Sequence, residues 1–101
     1  MTIAPHIDVP IEVVDDLCRR YQVKALYVFG SAARNELRPE SDIDLMVEFH
    51  PNHTIGLFEF GDLESELSML LGRKVDLVSK RGLNRHRAPS ILKDARLVYE
   101  A

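Results

Sequence analysis

Two aspartates, Asp42 and Asp44, stand two residues apart in the run Ser41-Asp42-Ile43-Asp44-Leu45, a short way after the turn sequence Gly30-Ser31-Ala32-Ala33-Arg34. On a strand, residues i and i+2 leave the same face, about 6.6 Å apart at about 3.3 Å of rise per residue. Carboxylates at that spacing can converge on one or two hard cations; two-metal sites hold their ions roughly 3.5–4 Å apart. Mg²⁺ takes oxygen ligands from one or two carboxylates and completes its shell with water and phosphate oxygens. Gly30 allows a sharp turn and close approach of a ligand to the backbone. Ser31 opens a short helix whose free N–H groups can hold phosphate oxygens, with its hydroxyl as a further donor. A third acid, Asp76, lies between apolar neighbours in residues 74–79; on an adjacent strand it would stand about 4.8 Å away. At a separation of about 5 Å and an effective dielectric of about 20, a pair of bare carboxylates costs roughly 3 kcal/mol. Taken singly, Gly-Ser is a turn, Asp-x-Asp a solvated strand face and Asp76 a surface acid. Together they point to a metal and phosphate site.

Positioning these groups requires particular elements. Pro10 suits the start of a helix, with Ile11, Val14, Leu17, Cys18 and Tyr21 on one face. Residues 25–29 read as a strand ending at Gly30, and 35–41, with Pro39, as a loop. Ile43, Leu45, Val47 and Phe49 alternate with Asp42, Asp44, Met46 and Glu48, which gives a strand with one apolar face and one carboxylate face. A loop spans 50–54. A helix is expected from about Gly56 to Leu71, with Phe60, Leu63, Leu67, Leu70 and Leu71 inward and Gly72 as its C-terminal cap. Residues 74–79 read as a third strand, Pro89 opens a last helix through Ala95, and 97–99 form a short final strand. Two consecutive strands argue against a purely alternating fold. The expectation is a single α/β (α+β) domain over 1–101, a small mixed β-sheet with helices mainly on one face.

A chain of 101 residues with 46% hydrophobic and 29% charged content is ordinary for a soluble domain. No stretch is long and apolar enough to span a bilayer, and residues 1–8 do not read as a signal peptide. The single Cys18 cannot form an internal disulfide, which fits a reducing cytoplasm. Net charge is −3, yet Arg73, Lys74, Lys80, Arg81, Arg85, Arg87, Lys93 and Arg96 gather late in the chain against only Asp76 and Asp94. That side could face a triphosphate, RNA or an acidic partner; Arg81, Arg85 and Arg87 read equally well as a solvated loop. His6, His50, His53 and His86 show no metal-ligand spacing, Cys18 reads as core, and Tyr99 is assigned no chemistry.

The paired motif, Gly30-Ser31-x-x-Arg34 followed by Ser41-Asp42-x-Asp44-Leu45, resembles the minimal nucleotidyltransferases of the DNA polymerase β superfamily, and looks like the antitoxin of HEPN–MNT toxin–antitoxin pairs. The likeness runs from about Val23 to Val78. It implies a polymerase β-type fold, with Gly30, Ser31, Arg34 and Ser41 at the nucleotide and Arg34 either beside it or steadying the loop. It implies that Asp42, Asp44 and Asp76 are the catalytic carboxylates and hold one or two Mg²⁺ ions, with Asp76 also a candidate base and ATP the donor. Glu48 is a substitute for Asp76 on the same face, expected to lie too far along the strand. Asn35 departs from the glycine common after the arginine, but asparagine tolerates the left-handed conformation. Transfer needs mostly positioning and charge neutralisation, and no second domain is expected to grip an acceptor. The resemblance therefore implies a protein acceptor, a HEPN toxin modified with AMP, with homo- or hetero-oligomeric assembly open. Three alternatives stand: a non-catalytic antitoxin acting by contact, a nucleotidyltransferase acting on a small molecule such as an aminoglycoside, and an RNA-binding protein.

Overall fold

The computed structural model describes residues 1–53 and 55–101. In chain order the elements are β1 (Thr2–Ala4), β2 (Ile7–Asp8), α1 (Ile11–Arg20), β3 (Val23–Phe29), α2 (Gly30–Ala33), β4 (Ile43–Phe49), α3 (Leu57–Leu71), β5 (Val75–Ser79), α4 (Ala88–Asp94) and β6 (Arg96–Glu100). The main sheet has the order β5-β4-β3-β6, parallel between β4 and β5 and antiparallel elsewhere, so it is mixed as expected. A parallel neighbour demands a crossover, which α3 provides. The loop expected over 50–54 ends in Thr54, which lies outside the described residues.

Period-two patterning explains the layers. Ile43, Leu45 and Val47 of β4 join Val75 and Leu77 of β5 and Val28 of β3 in one buried cluster with Val14, Leu17 and Cys18 of α1 and Leu63 and Leu67 of α3. The two long helices thus share one face of the sheet. The stripe of α1 starts at Val14; Ile11, expected inward, is 46% exposed, because the first turn of α1 projects beside Val98 and Tyr99 of β6 at the sheet margin. Gly72 caps α3 in the left-handed conformation at φ 67°, as anticipated. The hairpin of β1 and β2 was not anticipated; it buries Ile3 and Ala4 completely and turns at His6 with φ 64°. On the other face, Phe29 and Met46 are sealed by Ile91 of α4. Among the described residues no helix is long and apolar enough to cross a membrane.

As a sheet margin, β5 has N–H groups that β4 cannot use. Two side chains of α3 take them: Ser68 Oγ accepts from Val75 N at 3.0 Å, and Glu64 Oε2 accepts from Leu77 N at 2.9 Å. These bonds flank Asp76 and shield an edge that could otherwise pair with another chain. Glu64→Ala should cost about 1–2 kcal/mol and lower the melting temperature by roughly 5–10 °C. Glu64→Gln, which keeps an acceptor oxygen, should cost less than half as much in the same melting experiment. Equal losses would show that the acceptor does not hold the edge.

Candidate active site

The parallel register decides where the acids meet. Asp44 is the Cα partner of Asp76, between the pairs Ile43–Val75 and Leu45–Leu77. Since those apolar partners are buried on the helix-covered face, both aspartates project from the opposite one. Asp42 precedes the first residue of β4 rather than lying within the strand, and its carboxylate is 3.8 Å from Lys74 Nζ. Its loop is pinned by Arg73, whose Nη1 donates to the carbonyls of Arg38 at 2.7 Å and Ser41 at 3.2 Å, while Ile43 N donates to Lys74 O at 2.9 Å.

Asp44 lies at the centre of this cluster. Partial burial raises its carboxyl above the usual carboxylate range, and the charges of Asp76 and then Asp42 push it the same way, against the opposing pull of Arg87 and Arg34. Among the described residues, no three acid, histidine or cysteine side chains close into a metal cage on their own. The charges of Asp76 and Asp42 act on Asp44, and the register puts Asp44 and Asp76 side by side as a pair of carboxylate donors. This donor set fits Mg²⁺, which keeps water and phosphate oxygens in its shell.

The turn beside them is shaped for close approach. Gly30 follows Phe29, the Cα partner of Asp44, and adopts φ +68°. A methyl group there would overlap Asp44 Oδ2 and lie 3.3 Å from its Cγ, so the Asp44 carboxylate would have to move, and the left-handed backbone itself favours glycine. Gly30 opens α2 and Ser31 follows it, in a first turn whose N–H groups have no partner inside the helix. Asn35 takes the left-handed conformation at φ 58°, so the departure from glycine preserves the turn. Arg34 pairs with Asp94 of α4 and, at 3.4 Å, with Glu36. Ser41 Oγ accepts from Arg38 N at 3.1 Å, within its own loop. Glu48 is four residues beyond Asp44, 3.6 Å from Lys80 Nζ and 3.4 Å from the Tyr27 hydroxyl, so it does not join the cluster. A groove of about 720 Å³ opens at that far end of β4, lined by Phe49, His53, Ile55, Phe60, Lys80 and Arg81 among others. It contains no carboxylate pair, so the chemistry belongs at the other end of the strand.

Three features escaped the sequence reading: the Arg34–Asp94 tie, the hooks made by Arg73, and the position of Arg87 at the head of α4. The first and third share a signal in hindsight, since Arg87, Ile91 and Asp94 fall at i, i+4 and i+7 of one helix.

A glycine-turned strand end, an adjacent short helix and co-facial aspartates on neighbouring strands define a nucleotide-transfer type of domain. The nucleotidyltransferase domain family matches residues 11–99, and the chain belongs to it. A Methanocaldococcus jannaschii protein, provisionally named a protein adenylyltransferase, is 45% identical over 65 residues, 64% of this chain; the match covers 65% of that relative's length. A solved structure described provisionally as a minimal nucleotidyltransferase is 40% identical, covers 86% of this chain and 87% of its own, and superposes with a TM-score of 0.70. A tri-AMPylated Shewanella oneidensis HEPN toxin in complex with an MNT antitoxin gives 21% identity over 89% of this chain and 69% of that one, with a TM-score of 0.65. That last likeness is one of fold.

Folding partly buries Asp44 and brings it up against two like charges, so its ionised form opposes the folded state. With the folded-state value raised, the penalty is fully present above that value and vanishes as pH falls below the ordinary carboxylate value. In EDTA at neutral pH, Asp44→Asn should therefore melt a few degrees higher, on the order of 0.5 kcal/mol after allowing for the solvent exposure of the group. The gain should fade on acidification through the same window. A lower melting temperature at neutral pH would contradict the repulsion. Gly30→Ala should lose about 1–3 kcal/mol from the left-handed backbone alone, measurable by urea unfolding.

Proposed function

We propose that this chain transfers AMP from ATP, with one or two Mg²⁺ ions, to a hydroxyl on a partner protein, a HEPN-type toxin that it thereby neutralises in the cytoplasm. The observation that carries the reading is the register of Asp44 with Asp76 beside the Gly30 turn. In this reading Asp42, Asp44 and Asp76 hold the metal, which when bound neutralises charge on the phosphate oxygens. Gly30 and Ser31 present backbone N–H groups and a hydroxyl to the triphosphate. Arg34 and Ser41 act through structure: Arg34 ties the turn to α4, and Ser41 shapes the loop that delivers Asp42. Asp76 takes the proton of the acceptor hydroxyl. The acceptor oxygen then bonds to the α-phosphorus, and the bond from that phosphorus to the bridging oxygen breaks. Pyrophosphate leaves with the bonding electrons.

A protein acceptor is favoured by the surface of α3. Leu57 and Phe58, adjacent at the start of that helix, are 85% and 89% exposed, an apolar pair available to a protein partner. The named activity of the Methanocaldococcus relative and the AMP-bearing toxin beside the MNT neighbour support the same reading.

The test is label transfer from α-labelled ATP with Mg²⁺ to a co-expressed toxin or to proteins of the source lysate. Label should appear on a discrete protein band, and Asp44→Ala should reduce it by about 10²-fold or more. Label absent with all four nucleotides, together with neutralisation that survives Asp44→Ala, would replace this reading with a contact-only antitoxin.

A further inference from the structure

This inference rests on the triphosphate reading of the Gly30 turn, which brings a polyanion to three carboxylates. Such a site requires positive charge, and most nearby cations already have partners. Arg34 is held by Asp94 and Glu36, Lys74 stands beside Asp42, and Arg73 bonds two loop carbonyls. Arg87 differs. Among the described residues its guanidinium has no acidic partner, and its backbone N–H is satisfied by Asn84 Oδ1 at 2.8 Å.

Its placement is fixed by the helix it introduces. Arg87 is the residue before α4, and its carbonyl accepts from Ile91 N at 3.0 Å. Arg87, Ile91 and Asp94 form one stripe along that helix. Ile91 is buried against Phe29 and Met46, the first paired with Asp44 across the strands and the second two residues beyond it on the same face. Asp94 grips Arg34, immediately after α2. With two members of the stripe anchored on the carboxylate face, the third is carried to that face as well. Arg81 lies instead beside the apolar groove at the far end of β4, and Arg85 lies in the exposed turn before the stripe begins.

We propose that Arg87 is the triphosphate-binding cation of this domain, donating its planar fork to β- and γ-phosphate oxygens. A guanidinium suits that task because it offers parallel donors in fixed geometry and stays charged. Arg87 stabilises the pyrophosphate as the bond between the α-phosphorus and the bridging oxygen breaks, the acceptor oxygen having bonded to that phosphorus and its proton having passed to Asp76. It distinguishes ATP from AMP, which lacks those phosphates.

The experiment is calorimetric titration of the protein, Arg87→Ala and Arg87→Lys with ATP and with AMP in Mg²⁺, alongside melting curves. Arg87→Ala should weaken ATP roughly tenfold or more and AMP less than about twofold, without changing the melting curve. Arg87→Lys should recover part of the loss. ATP binding by the unsubstituted protein that is indifferent to both substitutions, or equal weakening of ATP and AMP, would overturn the assignment alone. Failure of the unsubstituted protein to bind ATP would overturn the assignment and the proposed function together.

Discussion

The parallel register of β4 and β5 is the constraint on which the rest of the structure depends, because it holds the carboxylates of Asp44 and Asp76 side by side. The parallel pair cannot separate them by slipping. A shift of one residue would turn Asp76 into the face covered by α3 and send Val75 and Leu77 to water. Each of the apolar side chains on that face contributes roughly 1.5–3 kcal/mol by burial, against a carboxylate repulsion that the exposure of Asp76 screens well below the cost of a bare buried pair. Ile43, Leu45, Val47, Val75 and Leu77 are all at most 5% exposed. Their burial outweighs the repulsion, so the hydrophobic face dictates where the charges sit. Glu64 and Ser68 add to this by holding the outer edge of β5 on either side of Asp76.

The opposite face is closed only in part. Ile91 of α4 seals Phe29 and Met46, while the acids beside them stay accessible. One short helix with a single buried residue thus divides that face into a packed half and a reactive half. The Arg34–Asp94 pair links this cover to the Gly30 turn across sixty residues of sequence. Conformation at the turn is therefore coupled to the position of α4, and both border Asp44. The overlap that any side chain at position 30 would have with Asp44 places the same limit on the turn from below.

What could be read from sequence follows from period and proximity. The alternation in β4, the 3.6-residue stripe of α3 and the glycine at its end all lie within one element, so they were visible, and with them the shared face of Asp44 and Asp76. Asp42 was placed on the strand because alternation extends to it, but Arg73 and Lys74 hold it in the loop just before. The resemblance implies Ser41 at the nucleotide; its hydroxyl also accepts from Arg38 N within the loop, a bond that no spacing announces. The hairpin of β1 and β2 is too short to carry a period. The side of the sheet on which α4 lies depends on contacts between distant residues, and a single sequence contains no such information.

The same long-range contacts bear on the late basic segment. A nucleic-acid groove requires cations free to meet successive phosphates along one surface. Here that charge is dispersed among separate tasks. Arg73 and Lys74 steady the Asp42 loop, Lys80 pairs with Glu48 and stacks over Tyr27, and Arg96 donates to the carbonyl of Ile3 at 3.2 Å. A segment that reads as a single basic side in sequence is thus divided in space among the strand margin, the apolar groove and the aspartate cluster. The cluster gathers three aspartates, and Arg87, at the head of the stripe that Ile91 and Asp94 anchor on that face, has no acidic partner among the described residues. This distribution suits one polyphosphate held at a fixed point better than a strand of phosphates laid across a surface.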